Sequence, residues 1–257
     1  MGKAVITIIG SGRVAEALAV SFHEAGHEIG GVISRNRDTA SALAARVSSN
    51  VLKTYQVPDD NGLVIMAVPD DSIYSLSRKL HVGPSTIVVH TSGSTGMEVF
   101  PESISHTGVI YPLQSFTNGR KANLGEVHFF TEASDAGTLR TIDLAVSSVS
   151  PNIHHIDSIG RSKVHLAAVF ISNFANHMLY CGMEIARREG LDMTAFAPLI
   201  RETVEKALDM GPATAQTGPA SRNDISTMAK HMDMLSFSDD MGKLYKIVSD
   251  SIIRSKI

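Results

Sequence analysis

Along residues 4–156, short continuous apolar runs alternate with stretches whose apolar residues recur every three or four positions. Beyond about residue 158 only the second pattern remains. The first run, Ala4-Val5-Ile6-Thr7-Ile8-Ile9, is rich in β-branched side chains and too short for an ordinary helix. It predicts a strand buried on both faces of a parallel sheet. Val14, Ala17, Leu18, Val20, Ser21 and Phe22 then follow at helical spacing, and Gly26 marks the stop. The same reading predicts strands at His27–Ser34, Val51-Leu52, Leu63–Val68, Thr86–His90, Val109–Tyr111, Val127–Phe130 and Ile153–Ile156. Helices are expected at Thr39–Val47, at Ile73–Leu80 with Asp71 or Ser72 as cap, and at Ala136–Val149, with turn chemistry at Asp59-Asp60-Asn61-Gly62. Strands alternating with helices predict an α/β fold, a doubly wound, mostly parallel sheet. From Ser162 onward, 163–189, 192–210, 223–235 and 239–254 read as helices, which predicts an all-α C-terminal domain.

The junction between the first strand and first helix is Gly10-Ser11-Gly12-Arg13-Val14-Ala15, a G-x-G-x-x-A turn. Gly10 permits the tight bend, Gly12 lets backbone approach a pyrophosphate, and Ala15 allows close helix–strand packing. The unpaired N–H groups and positive dipole end of the helix face the phosphates. An ordinary βα turn could hold incidental glycines, but the place of this one selects a dinucleotide-binding Rossmann domain over residues 1–158. Gly10, Ser11, Gly12, Arg13 and Val14 are the first candidate cofactor-binding residues. Roughly 20 residues beyond such glycines an acid would select NAD through the ribose 2′-hydroxyl. Here the sequence is Ser34-Arg35-Asn36-Arg37, with no acid before Asp38. A hydroxyl, an amide and planar guanidinium donors suit a 2′-phosphate, so NADP is the expected cofactor, with Ser34, Arg35 and Asn36 beside it. Ligands of such sheets lie beyond the carboxyl ends of strands. Pro69-Asp70-Asp71, Thr91–Gly96 and Pro112-Leu113-Gln114-Ser115-Phe116 all fall there, which predicts one shared cleft.

A net charge of -3 without a basic tract argues against a nucleic-acid partner. The single cysteine, Cys181, excludes an intrachain disulfide, and no N-terminal signal peptide is read, so a reduced cytoplasmic protein is expected. The eleven histidines are scattered without zinc-site spacing, so no metal is expected. Val164–Met183 carries no Asp, Glu, Lys or Arg, long enough to raise a membrane span. His165, Ser172, Asn173, Asn176 and His177 would be costly in lipid, so a buried helix and no membrane partner are expected. At about 100° per residue, Ser172 and Asn176 fall within roughly 20° of His165, with Asn173 and His177 alongside. Such a stripe either buries a hydrogen-bond network or lines a cleft. The loop from Gly211 to Asp224 is long enough to suspect function and gathers Gln216, Thr217, Gly218, Pro219, Arg222 and Asp224. Asn223 or Asp224 would cap the helix after it.

Taken together, GSGRVA, AVPDDSI, HTSGS, YPLQSF, KVHLAAVFISNFANHML, TGPASRND and KHMDML resemble a bacterial family of unknown function over nearly the whole chain. In that family a Rossmann domain precedes an all-helical domain, and members are labelled NADP oxidoreductases. They are similar in architecture to pyrroline-5-carboxylate reductases and deazaflavin-dependent NADP reductases. The resemblance implies a helical substrate and dimerisation domain over 159–257, a homodimer formed through it, and an active cleft between the two domains. It places Ala67, Val68 and Pro69 at the nicotinamide ribose, and Thr91, Ser92 and Gly93 at the ring. It puts His165, Asn173, Thr217, Gly218 and Pro219 on the substrate side; Gln114, Ser115, Asn176 and Arg222 join them as substrate-side candidates. The family often has a histidine where this chain has Tyr111, so that histidine's role does not carry over. The Lys-x-x-x-Asn pair of β-hydroxyacid dehydrogenases is also missing: Lys163 stands more than two helical turns before Asn173. The resulting expectation is an NADP(H)-dependent oxidoreductase acting on a small polar carbonyl or imine. His165 is its acid/base, because imidazole titrates near neutrality, and Asn173 orients the substrate. The alternative is a non-catalytic dinucleotide-binding sensor or partner-binding protein, favoured by the lack of an unmistakable catalytic constellation.

Overall fold

Val5–Ile9 (β1) sits inside a seven-stranded sheet, in a computed structural model that describes residues 4–58, 62–117, 120 and 122–255. Arg13–Glu24 (α1), Glu28–Ile33 (β2), Arg37–Arg46 (α2), Leu63–Met66 (β3), Asp70–Ser77 (α3) and Ile87–His90 (β4) follow. His106–Pro112 (β5), Phe129–Ala133 (β6), Ala136–Ser147 (α4) and Ile153–His155 (β7) complete the sheet and its helices. The strand order is β2-β1-β3-β4-β5-β6-β7, parallel throughout except for the antiparallel β5–β6 pair. The chain leaves β1 towards β2 and then crosses back to β3, so the reversal of winding falls between β1 and β3, where such folds bind ligands.

The continuous apolar runs are explained by burial on both faces. Ile6, Ile8, Ile65 and Val89 pack with Leu18 and Phe22 of α1, whereas Val64, Met66 and Val88 pack with Ile73 and Leu76 of α3. Side chains alternate between the two layers with the strand period of two. The strand expected at Val51-Leu52 reduces to a single bridge from Val51 to Val32, with Leu52 filling the space above Gly31. Helix α3 begins at Asp70, directly after Pro69 and without a side-chain cap, so Asp71 and Ser72 lie within its first turn. The two carboxylates there meet the positive helix end instead. The expected turn at Asp59–Asn61 lies outside the described residues.

The chain divides into two compact units, residues 1–173 and 174–257. The strand signals end near residue 158, but Ser158–Ala168 (α5) still belongs to the first unit. Arg161 is the physical reason: its side chain is fully buried, paired with Glu132 of β6, and donates to the Thr95 carbonyl at 2.5 Å and Ser158 Oγ at 3.2 Å. After α5, Val169–Phe174 winds as a π-helix. The wider turn breaks the regular angular progression on which the expected polar stripe rests. Ser172, Asn173, Asn176 and His177 are exposed, as are Leu166 at 57 % and Ile171 at 76 %, so this stretch is not a buried helix.

The second unit holds Ala175–Arg188 (α6), Met193–Met210 (α7), Pro212–Ala215 (α8), Ile225–Met234 (α9) and Asp239–Arg254 (α10). Asp224 caps α9, its Oδ1 accepting from the Thr227 N–H at 3.0 Å. The 211–224 loop is shortened by the single turn of α8. Among the described residues, no helix is long and apolar enough to cross a membrane.

Candidate functional site

The carboxyl ends of β1, β2, β3 and β4 open into a pocket of about 630 Å³ in the first unit, within the size range of cofactor sites. Gly10 makes the turn at its floor, with φ +118°; a Cβ there would stand 2.1 Å from the Ala67 carbonyl oxygen. Only glycine allows the β1–α1 turn to lie so close to the end of β3. Gly12 is the N-cap of α1 and offers no side chain to its N–H groups, and the place its Cβ would occupy is open space. The helix end thus has no side-chain cap, the kind of terminus at which backbone N–H groups can meet an anion.

Above the end of β2 a cluster of hydroxyls forms. Ser11 Oγ donates to Ser34 Oγ at 2.8 Å and lies 2.6 Å from Thr39 Oγ1. Arg13 and Arg35 also line this pocket, whose single carboxylate is Asp70. Asn36 is used otherwise: its Oδ1 accepts from the N–H groups of Asp38 and Thr39, both at 3.1 Å, and so caps α2. Ala67, Val68 and Pro69 wall the pocket after β3, and Thr91, Ser92 and Gly93 after β4.

The loop after β4 is internally braced. Ser92 Oγ accepts from the N–H groups of Ser94 at 3.1 Å and Thr95 at 2.9 Å, and Ser94 Oγ donates to Asp70 at 2.6 Å. His90 beneath it accepts from the Ser92 N–H through Nδ1 at 3.2 Å and stacks on Phe100. Its buried Nε2 makes no hydrogen bond of ordinary geometry, although the Gly96 carbonyl acts on it electrostatically. Burial first, and the Arg161 guanidinium second, push this imidazole down to about 4, so it is neutral at pH 7. Arg161, through Thr95, ties the same loop to α5.

His165 reaches the pocket from α5, and Tyr111 from β5. The Tyr111 hydroxyl lies 3.2 Å from His165 Nδ1, the rings meeting edge to face at 76°. Gly93 lets them meet, since a Cβ at that position would stand 2.8 Å from the imidazole ring. Of the residues expected at the site, Gly10, Ser11, Gly12, Arg13, Val14, Ser34, Arg35, Ala67, Val68, Pro69, Thr91, Ser92, Gly93 and His165 converge here.

Other expected residues lie elsewhere. Gln114 is exposed and turns its Oε1 back to the Ser115 N–H at 2.8 Å, outside the pocket. Asn173 is exposed on the π-helical turn. Asn176, Thr217, Gly218, Pro219 and Arg222 belong to the second unit, where Thr217 and Pro219 edge an apolar groove of about 260 Å³ between α6 and α10. The sequence reading missed Tyr111, Thr39, Tyr55 and Ser72 on the pocket wall, and placed Asp70 at the cleft without naming it a site residue. Asp70 carried a signal, since it stands in a polar loop at a strand end. Tyr111 carried a weaker one, being the last apolar-run residue before a proline.

Residues 2–114 match the description "Rossmann-like domain", and residues 127–252 match "Domain of unknown function (DUF2520)". No curated protein sequence matches the chain. Among solved structures, the chain is similar to a "putative NADP oxidoreductase" from Bacteroides fragilis, with 32% identity, 98% of each chain covered and a TM-score of 0.90. It is also similar to protein TM1727 from Thermotoga maritima, with 24% identity, 98% of each chain and a TM-score of 0.71. A reductive aminase from Aspergillus terreus, solved with NADPH and ethyl-5-oxohexanoate, shares the fold at 15% identity, covering 99% and 95% of the two chains with a TM-score of 0.71.

Proposed function

The chain belongs to the family that joins a Rossmann-like domain to the domain of unknown function DUF2520, and on that premise we propose that it is an NADP(H)-dependent oxidoreductase reducing a small carbonyl or imine. The observation that carries the reading is the 630 Å³ pocket, where an uncapped glycine cradle and two arginines share one cavity with a tyrosine–histidine pair. Gly10–Val14 hold the pyrophosphate through backbone N–H groups, and Arg35, Ser34 and Thr39 meet the 2′-phosphate. The absence of a carboxylate at the end of β2 favours NADP over NAD, because no acceptor is waiting for a free 2′-hydroxyl. When bound, NADPH supplies the hydride. The sheet order sets the Thr91–Gly93 loop and Tyr111 on the far side of β1 from Arg35, so the reacting end of the cofactor lies beside Tyr111 and His165. Kinship in fold with a reductive aminase, and in sequence with a protein described as an NADP oxidoreductase, supports the reaction class.

The protein works as a homodimer paired through its helical region. Leu199, Val204 and Leu208 on α7 are exposed at 62 %, 53 % and 80 %, and pairing of two copies through this helix would cover them. Light scattering should give twice the chain mass, and Leu208→Glu should halve it.

The deciding experiment is titration with NADPH and NADH. NADPH should raise the melting temperature and NADH should do so weakly. Arg35→Ala should weaken NADPH about 10–100-fold while leaving NADH nearly unchanged, the loss of a charge-assisted contact. Equal binding of both nucleotides would remove the NADP assignment. Binding of neither would remove the oxidoreductase. Tight NADPH binding without oxidation by any carbonyl or imine would favour a nucleotide sensor.

A further inference from the structure

Resting on the oxidoreductase reading, we infer that the Tyr111 hydroxyl is the proton donor of the reduction and that His165 restores its proton. Several polar groups on this side of the pocket are already engaged. Asp70 is engaged by the Ser94 hydroxyl, and Ser92 Oγ by two backbone N–H groups. His90 is buried beneath the loop and outside the pocket wall. Tyr111 and His165 stand out as a linked pair: two proton-carrying side chains 3.2 Å apart, both on the wall, so that one can resupply the other.

Tyr111 is held in place from both sides. Its ring lies 6.3 Å from Phe130 and 5.9 Å from His165, centroid to centroid, and the antiparallel β5–β6 ladder fixes its backbone opposite Phe130. His165 is held in turn by the glycine at position 93 and by α5, which Arg161 fastens to β6 and to the loop. The charged and titratable groups acting on the phenol are Asp70 at the start of α3 and His165 on α5. Burial first, then the Asp70 charge, push the phenol up, so it keeps its proton through the neutral range.

The step balances as follows. The substrate carbon takes a hydride from NADPH, and the electron pair of its double bond moves to oxygen or nitrogen. That atom takes the phenolic proton of Tyr111, and the O–H bonding pair stays on the phenolate. His165 then passes a proton from Nδ1 to the phenolate and takes one up from water in its place. The products are an alcohol or amine and oxidised NADP.

Two readouts test this. The first needs no turnover: His165 ring resonances, assigned by their loss in His165→Gln, are titrated by NMR in the wild type and in Tyr111→Phe. Loss of the shared hydrogen bond should move the His165 midpoint by about half a pH unit or more. The second is NADPH oxidation with cyclohexanone plus allylamine, with ethyl levulinate and with 2-methyl-1-pyrroline as probes. Tyr111→Phe should lower kcat about 10²–10⁴-fold and leave NADPH binding unchanged. His165→Ala should lower kcat, with added imidazole restoring part of it. An unmoved His165 midpoint overturns the pair, and turnover retained in Tyr111→Phe overturns the donor. If NADPH binds but the wild type oxidises it with no probe, the reductase reading falls and the donor with it. That outcome differs from the previous one, in which the wild type turns over.

Discussion

The two units of this chain solve the problem of burial in opposite ways. In residues 4–173 every central strand is enclosed: Ile6, Ile8, Ile65, Val64 and Val88 are all fully buried. In residues 174–257 the buried apolar side chains among the described residues are Met183, Ala186, Ala220 and Leu235, while Leu199, Leu208, Met234 and Ile247 stand in solvent. A parallel sheet between helix layers has no choice but to bury both faces. A set of amphipathic helices can leave a stripe for something else to cover. Rigidity therefore resides in the first unit. The first unit can hold a dinucleotide and a tyrosine–histidine pair in fixed relation, because sheet, loop and α5 are locked by buried contacts.

The largest contrast is expected between the ion pairs of the two units. Arg161→Ala removes a fully buried guanidinium and strands Glu132, which should cost about 3–5 kcal/mol in chemical denaturation. Arg187→Ala removes an exposed partner of Glu184 in the second unit, its side chain 64% in solvent, and should cost under about 1 kcal/mol. Similar losses at the two sites would erase the contrast. Next comes pH. His90 is held down to about 4 in the folded chain against 6.5 unfolded. The unfolded state therefore binds the extra proton between those values, and stability should fall as pH drops from 6.5 towards 4. The loss is on the order of 3 kcal/mol, burial being its main cause. His90→Asn keeps an acceptor near Nδ1 and cannot titrate, so its stability should be nearly flat over this window; an unchanged slope would place the cause elsewhere. The smallest effect is expected from Leu208→Ser in protein diluted until the two copies separate: within about 0.5 kcal/mol by thermal unfolding, the position being exposed in the single chain. At high concentration the same substitution should cost about 2 kcal/mol, because pairing of two copies covers α7; an equally small loss there would count against the pairing.

Much of the first unit was legible because local chemistry there has one outcome. A β-branched run too short for a helix, a glycine turn and a 3.6-residue period leave few arrangements, so β1, α1 and the cradle at Gly10–Val14 follow from the sequence. The arginine after β2 was legible for the same reason, since its distance from the glycines is set by one helix and one strand. Asn36 shows that an amide at a helix start can serve as ligand or cap: its Oδ1 accepts from the N–H groups of Asp38 and Thr39, and it does not line the pocket. The polar stripe forms no buried network: Ser172, Asn173, Asn176 and His177 are exposed along with their apolar neighbours, and a π-helical turn alters the angles on which it was built.

From spacing along the chain alone came the order of strands and helices, the glycine turn with its uncapped helix end and the arginines beside it, all of them short-range features. Only the tertiary structure decided that Tyr111 and His165, 54 positions apart, share a hydrogen bond, and that Arg161 joins α5 to the sheet. It also decided that Gly93 is small because an imidazole lies over it. Such pairings depend on how strands stack across the sheet, and that order is set by the packing of the whole core rather than by any stretch of chain.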